Sequence, residues 1–143
     1  MAANQETGLK TDEFVWKDYP ILETFKSATN TFVKNIDGDV QIWTASRDWF
    51  MEEWGRDTFI SLPGILLVNG RFEEAREIFK RFARFEKNGL IPNRIQKDNI
   101  VYNSVDASMW FIQAIKSYLN YTKDWKFVQQ MHPTIRNIID NYI

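Results

Sequence analysis

Apolar residues recur at every third or fourth position in four stretches of the chain, and this spacing predicts helices. The clearest stretch covers residues 72–86, where Phe72, Ala75, Phe79 and Phe82 share one helical face. Acidic residues open this stretch and basic residues close it, which matches the helix dipole. The other three predicted helices cover residues 58–68, 104–121 and 125–143. The helix over 104–121 is apolar on more than one face, which is typical of a buried helix.

Turn and cap signals set the ends of these helices. Asn69-Gly70 is a normal stop for the first helix, and Pro63 within it predicts that regular helix begins only near Ser61. Asp124 is a suitable N-cap for the last helix, which Pro133 is expected to kink or restart. The predicted fold class is therefore all-α.

The N-terminal part of the chain gives weaker signals. Residues 1–10 are polar and are expected to be disordered. A moderately helical stretch follows over residues 21–33, and Asp37-Gly38 marks a turn. Apolar residues then alternate with polar ones over residues 40–43, which predicts one short extended segment near the N-terminus.

The lengths of the connections predict how the helices are arranged. Helices joined by short turns run antiparallel, so the first predicted helix pairs with the second and the third with the fourth. A long loop, residues 88–103, joins the two pairs. The first and third helices therefore start at the same end of the stack, where Asp57 and Asp106 are expected to lie. Long connections gathered on one face are where sites are usually built.

Composition narrows the function classes. The 143 residues carry a formal net charge of −1, which provides no basic field for nucleic acid or an anionic membrane. There is no cysteine and His132 is the only histidine, so neither a disulfide nor a transition-metal site is expected. The N-terminus lacks a secretory signal and no apolar run is long enough to span a bilayer. These features predict a cytoplasmic protein without a metal or cofactor.

Trp54-Gly55-Arg56-Asp57 is the first candidate for chemistry. It places an aromatic ring, a guanidinium fork and a carboxylate within four residues, the combination that binds the apolar face and the vicinal hydroxyls of a sugar. Local pattern alone favours a structural interpretation, in which Asp57 caps the following helix, Arg56 lies in solvent and Trp54 packs at the helix start.

Asp106 is the second candidate, in the first turn of the helix over 104–121 and flanked by Tyr102 and Trp110. It faces the same end as Asp57 and suits a general acid, although an acidic residue in a first turn is also a common response to the helix dipole. A place at the helix N-terminus conflicts with a role as general acid, because the N-terminus lowers a carboxyl pKa whereas a general acid needs a raised pKa. Apolar burial or a second carboxylate would reconcile them.

Three weaker candidates lie in the connecting segments. Glu52-Glu53 is more typical of a solvated acidic loop than of a site. Asn93-Arg94 in the long loop suits either hydroxyl binding or attachment of the loop to the helices, and the sequence does not separate the two. Asp37 and Asp39 around a glycine are more typical of a turn than of a cation site, and His132 is expected to be exposed or packed.

Four motifs in order resemble the amylo-α-1,6-glucosidase domain of glycogen debranching enzymes. They are WGRDTFISLPG at 54–64, NGRFEEA at 69–75, GLIPNR at 89–94 and YNSVDASMWF at 102–111. Any one of them alone is weak, but four in order are specific. The family commonly has a Gly-Tyr-Pro-Trp-Phe type run before the first motif, whereas this chain has Ser-Arg-Asp-Trp-Phe at 46–50.

The resemblance implies an (α/α)6 barrel of alternating antiparallel inner and outer helices, of which residues 1–143 form a single partial domain at the N-terminal side. It implies a hydrolase that releases glucose from α-1,6 branch stubs of glycogen-like α-glucans without a cofactor. By resemblance, Asp106 is the general acid and Arg56 and Asp57 hold the terminal glucose. The remaining pocket residues implied by the resemblance are Trp54, Asn93, Arg94 and Trp110.

The resemblance also implies an inverting mechanism, in which a second carboxylate about 6.5–9.5 Å from the first activates water. That base is expected beyond residue 143 in the remainder of the barrel, so the isolated chain is expected to be an inactive fragment. Two alternatives stay open. One is another (α/α)-barrel glucosidase, of the trehalase or oligosaccharide glucosidase kind, and the other is a non-enzymatic helical binding module.

Overall fold

The computed structural model of the protein describes residues 20–44, 52–96 and 99–143, in which helices predominate. Within these residues no helix combines the length and the apolar character needed to cross a membrane. In chain order the elements are α1 (Pro20–Asn30), β1 (Val33–Ile36), β2 (Asp39–Ile42), α2 (Gly55–Leu62), α3 (Phe72–Arg84), β3 (Arg94–Gln96), β4 (Asn99–Val101), α4 (Asp106–Thr122) and α5 (Trp125–Tyr142). The expectations for residues 1–10 and 46–50 lie outside the described residues.

A β-hairpin replaces the end of the helical stretch expected over residues 21–33. Helix α1 ends at Asn30, and Val33 lies in β1 rather than in the helix expected over residues 21–33. β1 pairs antiparallel with β2, so that Val33 faces Ile42. The predicted turn at Asp37-Gly38 is confirmed, since both residues have positive φ angles (53° and 89°) that suit a tight hairpin. Cross-strand pairing of β-branched residues outweighs a weak helical tendency here.

Helix α2 begins at Gly55, six residues before the start near Ser61 that Pro63 was expected to impose. Proline instead ends the regular helix, because it has no backbone N–H to donate to the preceding turn. The chain continues as a wider π-helical turn over Pro63–Leu67, in which the Val68 N–H reaches the Pro63 carbonyl at 3.0 Å. The early start of α2 matters for function because it makes Arg56 and Asp57 first-turn residues.

The start of α2 is held against the long loop at Gly55. The Gly55 N–H donates to the Asn93 carbonyl at 2.8 Å, and a Cβ at Gly55 would overlap the carbonyl oxygen of Pro92. A glycine is therefore required here for close approach of two backbones, not for an unusual φ angle.

The Gly55→Ala variant is expected to be destabilised by about 1–3 kcal/mol, because the added methyl forces the Pro92 segment away from α2. Thermal unfolding of the protein measures this cost. Gly64→Ala is the matched control, since nothing lies within 4 Å of a Cβ at that position. Equal melting temperatures for the two variants would contradict the close-packing role of Gly55.

A network of aromatic rings joins α2, α3, α4 and α5. The Phe59 ring centre lies 5.1 Å from that of Phe111 and 6.0 Å from that of Phe79. Phe79 in turn lies 6.0 Å from Tyr118, whose ring centre is 5.1 Å from that of Phe127. All five rings are buried, and most contacts are edge-to-face, the arrangement that the ring quadrupole favours.

Helices α4 and α5 differ in detail from their predicted form. α4 is not buried all round, because Val105, Met109 and Trp110 near its start are exposed. α5 is one uninterrupted helix in which Pro133 is an interior residue and not a restart point. The Asp124 N-cap is confirmed, since its carboxylate accepts from the Phe127 N–H at 3.0 Å.

The long loop carries a hairpin that the sequence pattern did not predict. β3 pairs antiparallel with β4, with Arg94 opposite Val101 and Gln96 opposite Asn99. The segment leading into it is buried at Ile91 and Asn93. The described part of the loop thus packs against the helices, and it positions Asn93 and Arg94 beside the start of α2.

Candidate functional site

The starts of α2 and α4 meet, as the helix arrangement predicted, and Arg56 and Asp106 form the contact. The Arg56 Nε and Nη2 atoms both donate to Asp106 Oδ1, at 2.9 and 2.7 Å. Each side chain is about half exposed, at 48% and 46%. Arg56 is therefore not an unpaired solvated residue, and the pair forms a charged, solvent-accessible cluster at one end of the helices.

Ser104 is a further member of the cluster that sequence reasoning missed. Its buried hydroxyl donates to Asp106 Oδ1 at 2.6 Å and accepts from Arg56 Nη2 at 3.3 Å. The same oxygen accepts from the Ala107 N–H at 3.3 Å, as the hydroxyl of a helix N-cap residue does. A serine at the start of a predicted helix is the signal that would have indicated it. Ser104 fixes where the Asp106 carboxylate points.

The electrostatics of the cluster keep Asp106 ionised. Hydrogen bonds from Arg56, and then from Ser104, lower the pKa of Asp106 to about 2. The hydrogen bond to Asp106 likewise raises the pKa of Arg56. The site therefore holds a carboxylate and a guanidinium, and Asp106 has no proton to donate at neutral pH.

Asn93 ties the long loop to α2. Its Oδ1 accepts from the Arg56 N–H at 3.3 Å, and its Nδ2 donates to Asn103 Oδ1 at 3.1 Å. Its backbone N–H donates to the Val101 carbonyl at 2.8 Å. Of the two interpretations of Asn93-Arg94, attachment of the loop accounts for the contacts of this buried asparagine.

Trp54 and Arg94 lie together beside the start of α2. Trp54 occupies the N-cap position of that helix, and its backbone bridges to that of Arg94. The Arg94 guanidinium lies 5.7 Å from the centre of the Trp54 ring, a cation–π distance, and 3.5 Å from Glu52 Oε2. The pair forms a wall next to Arg56.

Asp57 and Trp110 share the same end without joining the hydrogen-bonded cluster. Asp57 is half-buried in the first turn of α2, and its charge contributes to the raised pKa of Arg56. Trp110 lies one helical turn after Asp106 on α4, with 37% of its surface exposed. Residues four apart share a helix face, so the indole is on the side of α4 that carries the carboxylate. Tyr102 is turned elsewhere, since its hydroxyl donates to the Phe85 carbonyl at 2.6 Å.

The expectation that Glu52-Glu53 is a solvated pair is wrong for Glu53. This side chain is buried, pairs with Arg81 of α3 and accepts from the Ile42 N–H at 3.2 Å. Asp39, predicted as a turn residue, also reaches Arg81, at 3.2 Å. Burial, only partly offset by Arg81, raises the pKa of Glu53 to about 7. These contacts bind the β1–β2 hairpin to α3, and a local pattern cannot reveal contacts between such distant residues.

Across residues 20–44, 52–96 and 99–143, no three or more histidine, aspartate or glutamate side chains are grouped so that they could hold an ion. His132 is exposed on α5. The chemical groups at the common end of α2 and α4 are two carboxylates, two guanidinium groups, a hydroxyl and two indoles.

Comparison with known proteins identifies relatives of this chain. The family model described as amylo-alpha-1,6-glucosidase matches residues 26–143. A glycogen debranching enzyme of Saccharomyces cerevisiae (strain ATCC 204508 / S288c) is 42% identical over 93 residues, which is 64% of this chain and 6% of the yeast protein. The chain thus spans a small part of the length of that curated relative. No solved structure matches the chain.

Proposed function

The chain belongs to the amylo-α-1,6-glucosidase family, and on that premise we propose that it forms part of the active site of a glycosidase. The proposed reaction is release of glucose from α-1,6 branch stubs of glycogen-like α-glucans. The observation that carries this proposal is the Arg56–Asp106 pair at the common start of α2 and α4, built from two of the four family motifs. The helices α2 to α5 would then be two hairpins of an (α/α)6 barrel that the rest of the domain completes.

Arg56 and Asp57 hold the terminal glucose, and Asp106 protonates the glycosidic oxygen. The low pKa of Asp106 fits this role if substrate binding changes its partners. When Arg56 turns its donors to sugar hydroxyls, Asp106 loses the hydrogen bonds that most lower its pKa. The bound sugar also excludes water from the carboxyl group, which raises the pKa further. Substrate binding therefore converts Asp106 from a carboxylate into an acid.

The neighbouring residues of the cluster shape the pocket in distinct ways. The exposed Trp110 indole offers a flat surface to the apolar face of a glucose ring. Trp54 and Arg94 form the adjoining wall, and Asn93 contributes by fixing the backbone of Arg56. For an inverting mechanism, the base lies on another element of the barrel, about 6.5–9.5 Å from Asp106, with room for the attacking water.

A panel of glucosides tests the proposed substrate. The full-length protein is expected to hydrolyse an α-1,4 chain carrying a single α-1,6 glucose stub with a kcat/KM at least about tenfold above that for maltose or trehalose. The measurement is glucose release at equal substrate concentration. A preference for trehalose or for another short oligosaccharide would indicate a different (α/α)-barrel glucosidase. Sugar binding without any hydrolysis would indicate a binding module.

A further inference from the structure

A cavity of about 470 Å³ lies between the two β-hairpins. Ile36 and Gln41 of the first hairpin line one side, Ile95 and Gln96 of the second line the other, and the buried Glu53–Arg81 pair lies at its base. Within the described residues, neither Arg56 nor Asp106 belongs to its lining. We call it the hairpin cavity. Its volume falls within the range of small-molecule sites, about 300–1,000 Å³.

The polar groups of the hairpin cavity are held in place by their own contacts. The Trp43 indole N–H donates to Gln41 Oε1 at 2.9 Å. This bond uses the carbonyl oxygen of the Gln41 amide and not its N–H donors. Gln96 Nε2 donates to Glu52 Oε1, which leaves the Gln96 carbonyl oxygen as an acceptor. The buried Glu52 Oε2 is paired with the Arg94 guanidinium at 3.5 Å and accepts no shorter hydrogen bond from the described residues. The cavity thus offers amide donors, carbonyl and carboxylate acceptors, and an indole within one space.

The charge of the lining decides the class of ligand. Four carboxylate residues line the cavity: Asp37, Asp39, Glu52 and Glu53. Within the described part of the chain, Arg81 is the cationic residue of the lining. Three of these carboxylates are paired with arginines, Glu53 and Asp39 with Arg81 and Glu52 with Arg94, so the lining has no strong net charge and favours an uncharged ligand. An apolar wall with an indole, combined with amides and carboxylates, suits a neutral polyhydroxylated ligand, which offers both ring faces and paired hydroxyls.

We propose that the hairpin cavity is a second sugar site that binds glucose residues of an α-glucan chain, separate from the Arg56–Asp106 cluster. The assignment of glucose as the ligand rests on the proposed function. The position of the cavity supports the link, because Glu53 lies only one residue before Trp54 and contacts the C-terminal part of α3. The cavity is therefore close to the end of the helices where α2 and α4 begin. One branched glucan contacting both sites would gain affinity by two-point binding.

Calorimetric titration of the full-length protein with maltoheptaose tests the proposal in an Arg56→Ala background, in which sugar binding at the cluster is broken. We expect measurable binding to remain, and Trp43→Ala in this background to weaken it by about tenfold. Trp125→Ala is the matched control, because Trp125 is 65% exposed on α5, far along the chain from both hairpins. In the otherwise wild-type protein, Trp43→Ala is expected to raise KM for a branched glucan and to leave kcat for a small α-glucoside unchanged.

A second variant covers the possibility that Trp43→Ala unfolds the hairpin. Asp37→Asn keeps a residue that tolerates the positive φ of this exposed turn and removes one carboxylate of the lining. It is expected to weaken maltoheptaose binding by several-fold without a change in melting temperature. Wild-type affinity in this variant, or no binding at all in the Arg56→Ala protein, would overturn the second site. If the wild-type protein released no glucose, the proposed function would be overturned instead. The titration with maltoheptaose would still test the second site in that case, because it measures binding and not hydrolysis.

Discussion

On the proposed function, the Asp106→Asn variant of the full-length protein is expected to release glucose at least about 100-fold more slowly than the wild type, while its affinity for the glucan changes only a few-fold. The asparagine carbonyl oxygen can still accept hydrogen bonds from Arg56 and Ser104, so the geometry of the cluster is preserved. An amide has no acid proton to give to the glycosidic oxygen. The rate of glucose release and a calorimetric titration with the same glucan measure the two quantities separately.

Controls separate a chemical role for Asp106 from a general loss of charge. Asp140→Asn removes a carboxylate of similar exposure that pairs with Arg136 on α5, and it is expected to leave both rate and affinity unchanged. Asp57→Asn should weaken binding more than it slows the bound complex, because Asp57 is assigned to the sugar hydroxyls. A rate for Asp106→Asn near that of the wild type would show that another group is the acid.

The parts of the fold that could be predicted from the sequence are those with strong local signals. The 3.6-residue period of Phe72, Phe79 and Phe82 predicts the start of α3 at the residue where the structure has it, and its end within two residues. Asp124 identified the cap of α5. The common start of α2 and α4 followed from connection lengths alone, since one long and two short connections leave little freedom in how antiparallel helices stack.

The parts that were missed depend on contacts between distant residues. The β3–β4 hairpin is too short to show a two-residue period, and α2 starts early because Gly55 is bonded to the Asn93 carbonyl in the long loop. The burial of Glu53 depends on Arg81, which lies 28 positions later. Local pattern treats an acidic pair as solvated because most acidic pairs are. A partner on another element reverses that expectation.

At the candidate site, too, the residues could be identified from the sequence but their contacts could not. Arg56 and Asp106 were singled out by motif, but the bond between them, which gives Asp106 its low pKa, is a property of the folded chain. The helix dipole was expected to lower this pKa, whereas Arg56 and Ser104 are the main causes. The distinction has a functional consequence, because a hydrogen-bond partner can be taken away by a substrate and a helix dipole cannot.

Replacing Arg81 with methionine is expected to destabilise the protein by about 3–5 kcal/mol at pH 8, because Glu53 must then either keep a buried charge without its cation or take up a proton, and Asp39 loses the same partner. The aliphatic part of the side chain is retained, so little packing is lost. Thermal unfolding reports the loss, and hydrogen exchange of β2 and α3 shows whether it is local to the hairpin contact. Arg136→Met, which breaks an exposed pair, is the matched control and is expected to cost at most about 1 kcal/mol.

The pH dependence of stability in the Arg81→Met variant distinguishes an uncompensated Glu53 charge from lost packing. In the wild-type protein the pKa of Glu53 is raised from 4.5 to about 7, so between these values the folded state binds more protons than the unfolded state and stability falls as pH rises. Removing Arg81 raises this pKa further, so the variant is expected to lose more stability at pH 8 than at pH 5, where the carboxyl group is protonated. Adding Glu53→Gln should restore much of the loss at pH 8 and remove the difference between the two pH values. A loss independent of pH, and unaffected by Glu53→Gln, would mean that Arg81 acts through packing and that the ion pair does not hold the hairpin to α3.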